Sequence, residues 1–154
     1  MWLLIESAAG VTQIKKLLGG ATEVAGLMLG AADLAADLGL LGDPRRQVDA
    51  ARSRILYAAA AEGVPAVVDC PEVQIEAGPQ LVKAARDARD WGFTGKSAIH
   101  PAQLEAIHGA FRPTEDELQW AEEVLAARDG ATRVGETMVD EATKRLARRI
   151  ARRG

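Results

Sequence analysis

Short apolar runs alternate with helical spacing along the first two thirds of the chain. Trp2 to Ile5 is continuously apolar and stops at Glu6. Val24 to Leu29 runs into Gly30-Ala31-Ala32-Asp33, and Pro65 to Val68 stops at Asp69. Ser97 to Ile99 is the fourth run and ends at His100. Unbroken runs of this length predict strands of a parallel sheet covered on both faces. Between them the spacing is helical. Thr12 to Leu18 precedes Gly19-Gly20, a helix stop. Asp43 is placed as an N-cap with Pro44 at the first helical position, and the helix runs from Arg45 to Ala61 and stops at Gly63. Gly78-Pro79 opens the next helix, which sets Leu81, Ala84, Ala85 and Ala88 on one face and ends from Trp91 into Gly92. Pro101 opens a helix to about Ile107. Thr114 and Glu117 have the spacing of a capping box ahead of a helix over Leu118 to Arg128. Asp129 to Thr137 reads as a polar connection, and Asp140 to Arg153 as a last helix.

The order is strand–helix four times, followed by two further helices. Such alternation predicts a parallel sheet with helical crossovers. An eight-stranded (β/α)8 barrel takes about 250 residues, so four units are half of one. The expected fold is α/β, with about four βα units of a TIM-type barrel (a half barrel) plus C-terminal helices. Residues 1–128 are assigned to the barrel half and residues 129–154 to a helical extension. A half barrel has two open edges, and open edges invite pairing. The chain therefore either dimerises through them, forms a small open sheet, or is the C-terminal half of a longer protein.

Composition narrows the partners. With 154 residues and 48% hydrophobic content, the chain can bury a real core, and 4% aromatics leave that core to Leu, Val, Ile and Ala. A net charge of −3 supplies no field for nucleic acid. Cys70 is the only cysteine, so no intrachain disulfide forms, which suits a cytoplasmic protein. No basic region precedes a long apolar run, so no signal peptide is expected. The most apolar stretch, Val24 to Ala36, is too short for a membrane span and is interrupted by Asp33.

In parallel α/β folds chemistry gathers at the C-terminal ends of the strands. Those ends are Glu6, Asp33, Asp69 and His100. Two carboxylates with open coordination positions suit Mg²⁺; equally, acids at these positions cap helices or form surface pairs. His100 is a proton carrier or ligand, or it holds loops together through its two ring nitrogens. His108 reads as a helix residue. Lys96, after Gly95, reaches a phosphate or a carboxylate, or is a solvated turn residue. The strand–GxxxxGK[ST]–helix context of a P-loop is missing, and no GxGxxG occurs. Lys144-Arg145, Arg148-Arg149 and Arg152-Arg153 space cations along the last helix. They meet an acidic partner or nucleic acid, or they are solvated cations complementing the helix dipole. No aromatic residues interleave with them, which favours the solvated helix end.

Four blocks, IESAAGV, LMLGAADLAADLG, GFTGKSAIHPAQLEAI and the closing GETMVDEAT, resemble in order the second half of the citrate lyase β-subunit-like proteins. These belong to the aldolase/citrate lyase superfamily, which includes malyl- and citramalyl-CoA lyases. The resemblance covers almost the whole chain, and GKSAIHPAQ is its most distinctive string. It implies a (β/α)8 barrel that binds Mg²⁺, with Mn²⁺ as a substitute, and that cleaves or forms carbon–carbon bonds beside a thioester. It implies a small 3-hydroxyacyl thioester substrate such as malyl- or citramalyl-CoA, and a homo-oligomer with no nucleic-acid or membrane partner. By the same resemblance Glu6 and Asp33 are the metal ligands, and Asp140 is an acid/base that enters the active site of a neighbouring subunit. Lys96 and His100 are then structural residues near the site. Read from its neighbours alone, Asp140 is a helix N-cap. The family's first half carries a substrate-contacting arginine, in an R-x-N block, and the early strands of the barrel. Nothing in these 154 residues matches either. The alternative is therefore a truncated, non-catalytic half barrel that needs a partner chain.

Overall fold

Four short strands pair in chain order into one parallel sheet: β1 (Trp2–Ile5), β2 (Gly26–Leu29), β3 (Ala66–Asp69) and β4 (Gly95–Lys96). The computed structural model describes residues 1–21, 23–127, 132–134 and 137–154. The strands alternate with helices α1 (Ala8–Gly20), α2 (Ala31–Asp37), α3 (Arg45–Ala61) and α4 (Pro79–Trp91). A 3₁₀ turn (Pro101–Gln103) and α5 (Leu104–Phe111) follow β4. This is the expected run of βα units.

The register decides which residues meet. Leu3, Leu27 and Val67 stand side by side, and Ile5 stands beside Leu29. These side chains pack against Ile14 and Leu18 of α1, Leu34 of α2, and Val48, Ile55 and Ala59 of α3. Each fully buried Leu or Ile of this cluster contributes roughly 1.5–3 kcal/mol relative to an exposed position. The other face is different. Trp2 and Leu4 are each 51% exposed, and Met28 and Val68, in the same row as Leu4, are half-buried. The helices thus cover one face of the sheet, whereas continuous apolar runs predicted cover on both. An apolar run reports burial of most of its residues, not the layer that supplies it.

Several boundaries move for identifiable reasons. α1 begins at Ala8, earlier than its apolar spacing indicates, because the Ser7 hydroxyl accepts a hydrogen bond from Gly10 N at 3.1 Å and caps it. Ala31–Asp37 is a helix that periodicity did not reveal, and it places Asp33 in its first turn. Pro44 takes the N-cap of α3, while Asp43 Oδ1 accepts from Arg45 N at 3.0 Å from one residue further out. The fourth strand is Gly95–Lys96 rather than Ser97 to Ile99. Backbone pairing fixes it: Thr94 N donates to Val67 O at 2.8 Å and Ser97 N to Asp69 O at 2.9 Å. Gly92 closes α4 at φ 105, a left-handed conformation that glycine adopts without penalty.

Residues 112–154 form a second compact unit, and residues 1–111 the first. The expected division at 128/129 falls within that second unit. The capping box opens α6 (Glu115–Ala126): Glu117 N donates to Thr114 Oγ1 at 3.2 Å, and Thr114 N to Glu117 Oε2 at 2.7 Å. Where a polar connection was expected, the described residues form an antiparallel pair, β5 (Thr132–Val134) and β6 (Thr137–Val139). Asp129 and its neighbours up to 131 lie outside the described residues. α7 (Glu141–Ala151) completes the unit, whose core is Ala121, Val124, Val139 and Ala147. No helix among the described residues is long and apolar enough to cross a membrane.

Candidate functional site

Glu6 leaves the end of β1, and Gly30 leaves the end of β2 beside it. Gly30 N donates to Ile5 O at 3.0 Å, which carries the strand pairing up to the two junctions. A Cβ at position 30 would lie 2.6 Å from Glu6 Cβ and 3.1 Å from Glu6 Oε2. Only glycine leaves room for the Glu6 side chain there. Gly30 is also the N-cap of α2, so Asp33 follows within one helical turn. Ala8 N donates to Asp37 Oδ2 at 2.7 Å, tying the start of α1 to the end of α2. The structure thus brings Glu6 and Asp33 to adjacent strand–helix junctions at one end of the sheet. Among the described residues neither carboxylate has a hydrogen-bond or ion-pair partner. Two uncommitted carboxylates are a fitting donor set for a hard cation such as Mg²⁺, which takes oxygen ligands and retains water. No third His, Cys, Asp or Glu joins them among the described residues, leaving the remaining positions to water or substrate oxygens.

Asp69 does not belong to this pair. Alternation along β3 puts it with Val67 on the helix-covered face, and it is fully buried. Arg52 of α3 grips it with both arms of the guanidinium, Nε to Oδ1 at 2.9 Å and Nη2 to Oδ2 at 2.9 Å, and reaches Asp49 Oδ1 with Nη1 at 2.9 Å. Lys96 Nζ approaches Asp69 Oδ2 at 3.2 Å, Cys70 O at 2.6 Å and Glu72 Oε1 at 3.4 Å. The expectations for Lys96 were a phosphate or carboxylate contact, a solvated turn or, by the family resemblance, a structural place near the site. Its side chain is buried, which removes the solvated turn, and the carboxylate it reaches belongs to its own chain. Burial works to lower the Arg52 pKa, but the hydrogen bonds and charge of Asp69 outweigh it and hold the guanidinium above its ordinary value.

Arg52 was not among the expected site residues. The available signal was its position: it lies four residues after Val48 and three before Ile55, inside the buried stripe of α3. An arginine there needs a buried partner.

The same geometry acts on Cys70. Burial foremost, then the nearby Asp69 carboxylate, pushes its thiol above the ordinary value. Thiolate is the reactive form. Cys70 is therefore expected to react with a disulfide reagent far more slowly in the native protein at neutral pH than in urea. Equal rates in the two conditions would mean that this corner of the core is open.

The GFTGKSAIHPAQ stretch is a clamp. Phe93 is fully buried in the core. Thr94 Oγ1 accepts from Val67 N at 2.9 Å and donates to Val67 O at 3.0 Å, and Ser97 Oγ donates to Asp69 O at 2.8 Å. Gln103, fully buried, accepts from Ile99 N at 2.9 Å and donates through Nε2 to Glu72 O at 3.2 Å and Gln74 O at 2.6 Å. Lys96 and Gln103 together pin the loop between β3 and α4, which walls a cleft of about 450 Å³ lined by Glu72, Gln74, Glu76 and Leu81. His100 is exposed and acts locally: its Nδ1 accepts from Ala102 N at 3.2 Å and caps the 3₁₀ turn.

Asp140 lies in the second unit, where it caps α7. Its Oδ1 accepts from Thr143 N at 2.8 Å and from Thr143 Oγ1 at 2.9 Å. The Thr143 backbone N–H, followed by its hydroxyl, holds the Asp140 carboxyl below the usual carboxylate range. Of the six basic residues on this segment, Lys144 turns inward and donates to Ala127 O at 3.0 Å. Arg145, Arg148, Arg149 and Arg152 are exposed, and Arg148 pairs with Glu141 at 2.7 Å.

Residues 1–101 match the family model described as HpcH/HpaI aldolase/citrate lyase. A citrate lyase subunit beta-like protein of Mycobacterium tuberculosis is 38% identical over 132 residues, covering 80% of this chain and 47% of that protein. A (3S)-malyl-CoA thioesterase of Cereibacter sphaeroides is 32% identical over 137 residues, covering 88% of this chain and 47% of that one. Among solved structures, the CitE protein of Mycobacterium tuberculosis in complex with magnesium, acetoacetate and coenzyme A superposes with a TM-score of 0.85 at 34% identity. That match covers 97% of this chain and 59% of the other. The chain spans about half the length of these curated relatives. Over that span, sequence and fold agree: the chain belongs to the HpcH/HpaI aldolase/citrate lyase family, whose barrels are of the TIM type.

Proposed function

We propose that this chain carries the metal-binding half of a Mg²⁺-dependent carbon–carbon lyase acting on a small 3-hydroxyacyl thioester such as malyl- or citramalyl-CoA. The observation that carries it is the pair of uncommitted carboxylates, Glu6 and Asp33, with Gly30 kept bare for the Glu6 side chain. Glu6 and Asp33 hold the ion, with Mn²⁺ as a substitute. When bound, it supplies Lewis-acid polarisation of a substrate oxygen. Asp140 of a neighbouring copy moves the proton as the carbon–carbon bond breaks or forms. The exposed position of this carboxylate at the start of α7 supports that role, and the Thr143 hydrogen bonds that hold it ionised have to give way when it takes up a proton. Lys96 and His100 act structurally, setting the loops beside the site. The protein works as a homo-oligomer in the cytoplasm, the compartment being the part that the single, buried, unpaired Cys70 supports. Residues 129–154 supply the extension that carries Asp140 to the neighbouring copy.

One relative's name favours another reading. The relative named as a malyl-CoA thioesterase favours hydrolysis at the same metal site. Product analysis separates the two, since carbon–carbon cleavage leaves a shorter thioester whereas hydrolysis liberates the free thiol. The alternative of a non-catalytic half barrel that needs a partner chain is overturned by turnover of any thioester of this class by the purified chain.

Calorimetric titration with Mg²⁺ or Mn²⁺, beside the Glu6→Ala/Asp33→Ala double variant, tests the proposal. Binding by the wild type that the double variant loses is expected. Binding that survives both substitutions, or none by a folded wild type, overturns the metal assignment.

A further inference from the structure

The exposed cations of α7 share one side of the helix. Arg145, Arg148, Arg149 and Arg152 follow one another at spacings that keep all four within roughly 100° of arc. Ala147, on the opposite side, is buried in the core of the unit. With Leu146 the four arginines line a groove of about 540 Å³. Lys144 turns inward instead, to Ala127 O. Glu141 pairs with Arg148, and among the described residues the guanidiniums of Arg145, Arg149 and Arg152 have no hydrogen-bond or ion-pair partner. The helix dipole does not account for this placement. It favours cations in the last turn whichever side they stand on, and its effect fades beyond that turn. Arg145 lies before the last turn. Arg145 with Arg149, and Arg148 with Arg152, are like charges four residues apart, an arrangement that destabilises a helix. The one-sided row therefore carries a cost that an anion lying along it would remove. Its charges and spacing belong to α7 itself and are the same whatever surrounds the unit.

The row also selects its anion. A guanidinium is planar and grips phosphate oxygens with paired N–H donors, which an ammonium does not. The outward cations are all arginine, and the lysine is the one turned inward. Helical rise sets Arg145 and Arg152 about 10 Å apart along the axis, further than a single phosphate spans and close to the reach of two or three linked phosphates. Nucleic acid would find no aromatic ring in the groove to stack on. A polypeptide surface would find no apolar centre, since Leu146 is the one apolar residue among four charges. We propose that the arginine face of α7 binds an oligophosphate group, two or more phosphates in a row, through Arg145, Arg149 and Arg152, with Arg148 shared between the anion and Glu141. Two sources carry this chemistry: a nucleoside triphosphate and the phosphorylated handle of coenzyme A. The site lies wholly within residues 112–154 and uses neither Glu6 nor Asp33, so no outcome of the metal titration bears on it.

Calorimetric titration of the full chain with sodium tripolyphosphate, at about 0.15 M ionic strength and without divalent metal, tests this. Saturable binding, tighter than that of monophosphate, is expected. Arg145→Gln/Arg149→Gln/Arg152→Gln is expected to bind about 10–100-fold more weakly, the worth of one well-formed charge-assisted contact. Arg46→Gln/Arg54→Gln/Arg86→Gln removes the same charge from the first unit and is expected to keep the wild-type affinity. All the substituted residues are exposed, so neither variant disturbs the core, and circular dichroism checks that. NMR of the arginine Nε–H signals reads the site on the wild type itself, where those of Arg145, Arg149 and Arg152 are expected to move with tripolyphosphate. ATP and coenzyme A, titrated separately, distinguish the two sources. The one that binds more tightly, and loses that affinity in the α7 variant, is the natural class. No saturable binding of tripolyphosphate overturns the proposal, as does affinity no better than for monophosphate. An equal loss in both triple variants, or NMR shifts that leave the α7 arginines unmoved, also overturns it.

Discussion

Asp69→Ala is expected to lower the unfolding free energy of residues 1–111 by about 3–5 kcal/mol, a large fraction of a domain's stability. The reason is what stays behind. Arg52 and Lys96 converge on this carboxylate within 2.9 and 3.2 Å, and the Lys96 side chain has no solvent contact. Removing the carboxylate leaves two cations facing each other with only carbonyl oxygens, Asp49 and Glu72 nearby. An exposed ion pair such as Lys83 with Asp87, by contrast, contributes well under about 1 kcal/mol, so Asp87→Ala serves as the control. Urea unfolding followed by circular dichroism measures both. A loss below about 1 kcal/mol for Asp69→Ala would mean that water reaches the cluster and screens it. Lys96→Ala should cost less than Asp69→Ala, because Asp69 keeps its two-armed contact with Arg52.

Gly30→Ala is expected to separate function from stability. The added methyl would sit 2.6 Å from Glu6 Cβ, so either β1 and β2 spread or the Glu6 side chain swings away. Overpacking of this kind costs about 1–3 kcal/mol. Displacing a ligand's support typically costs about 10–100-fold in metal affinity, and that is the loss expected for Mg²⁺. Gly19→Ala in α1 is the matched control. Nothing lies within 4 Å of a Cβ there, so that variant should keep both metal affinity and stability, with a small gain from helix propensity. Unchanged Mg²⁺ affinity in a folded Gly30→Ala would remove Glu6 from the ligand set.

Much of the scaffold was legible in the sequence because its signals are local. The βα alternation, the capping box at Thr114 and Glu117, the stop at Gly92 and the Gly78-Pro79 helix start depend on residues within a turn of one another. Glu6 and Asp33 were visible for the same reason, since each closely follows an apolar run. Asp69 carries an identical local signature, an acid ending an apolar run, yet it faces the helices and binds Arg52. The difference between Glu6 and Asp69 is one residue of phase, and phase is set by strand register. Glu6 is the first residue beyond β1, whereas Asp69 is the last residue within β3. Likewise GKSAIHPAQ was distinctive as a string, but its clamp rests on Lys96 and Gln103 contacts to residues about 30 positions away, as in the Gln103–Gln74 bond. No periodicity encodes such a distance.

The sequence by itself determined the family, through four motif blocks in order, and, through local spacing, the parallel βα architecture and an acid after each of the first two apolar runs. Only the tertiary structure decided which acid is buried and paired, that Gly30 is held bare by Glu6, and that one face of the sheet lies open. Those outcomes depend on which way a side chain points, and that direction is fixed by pairing between strands distant in the chain.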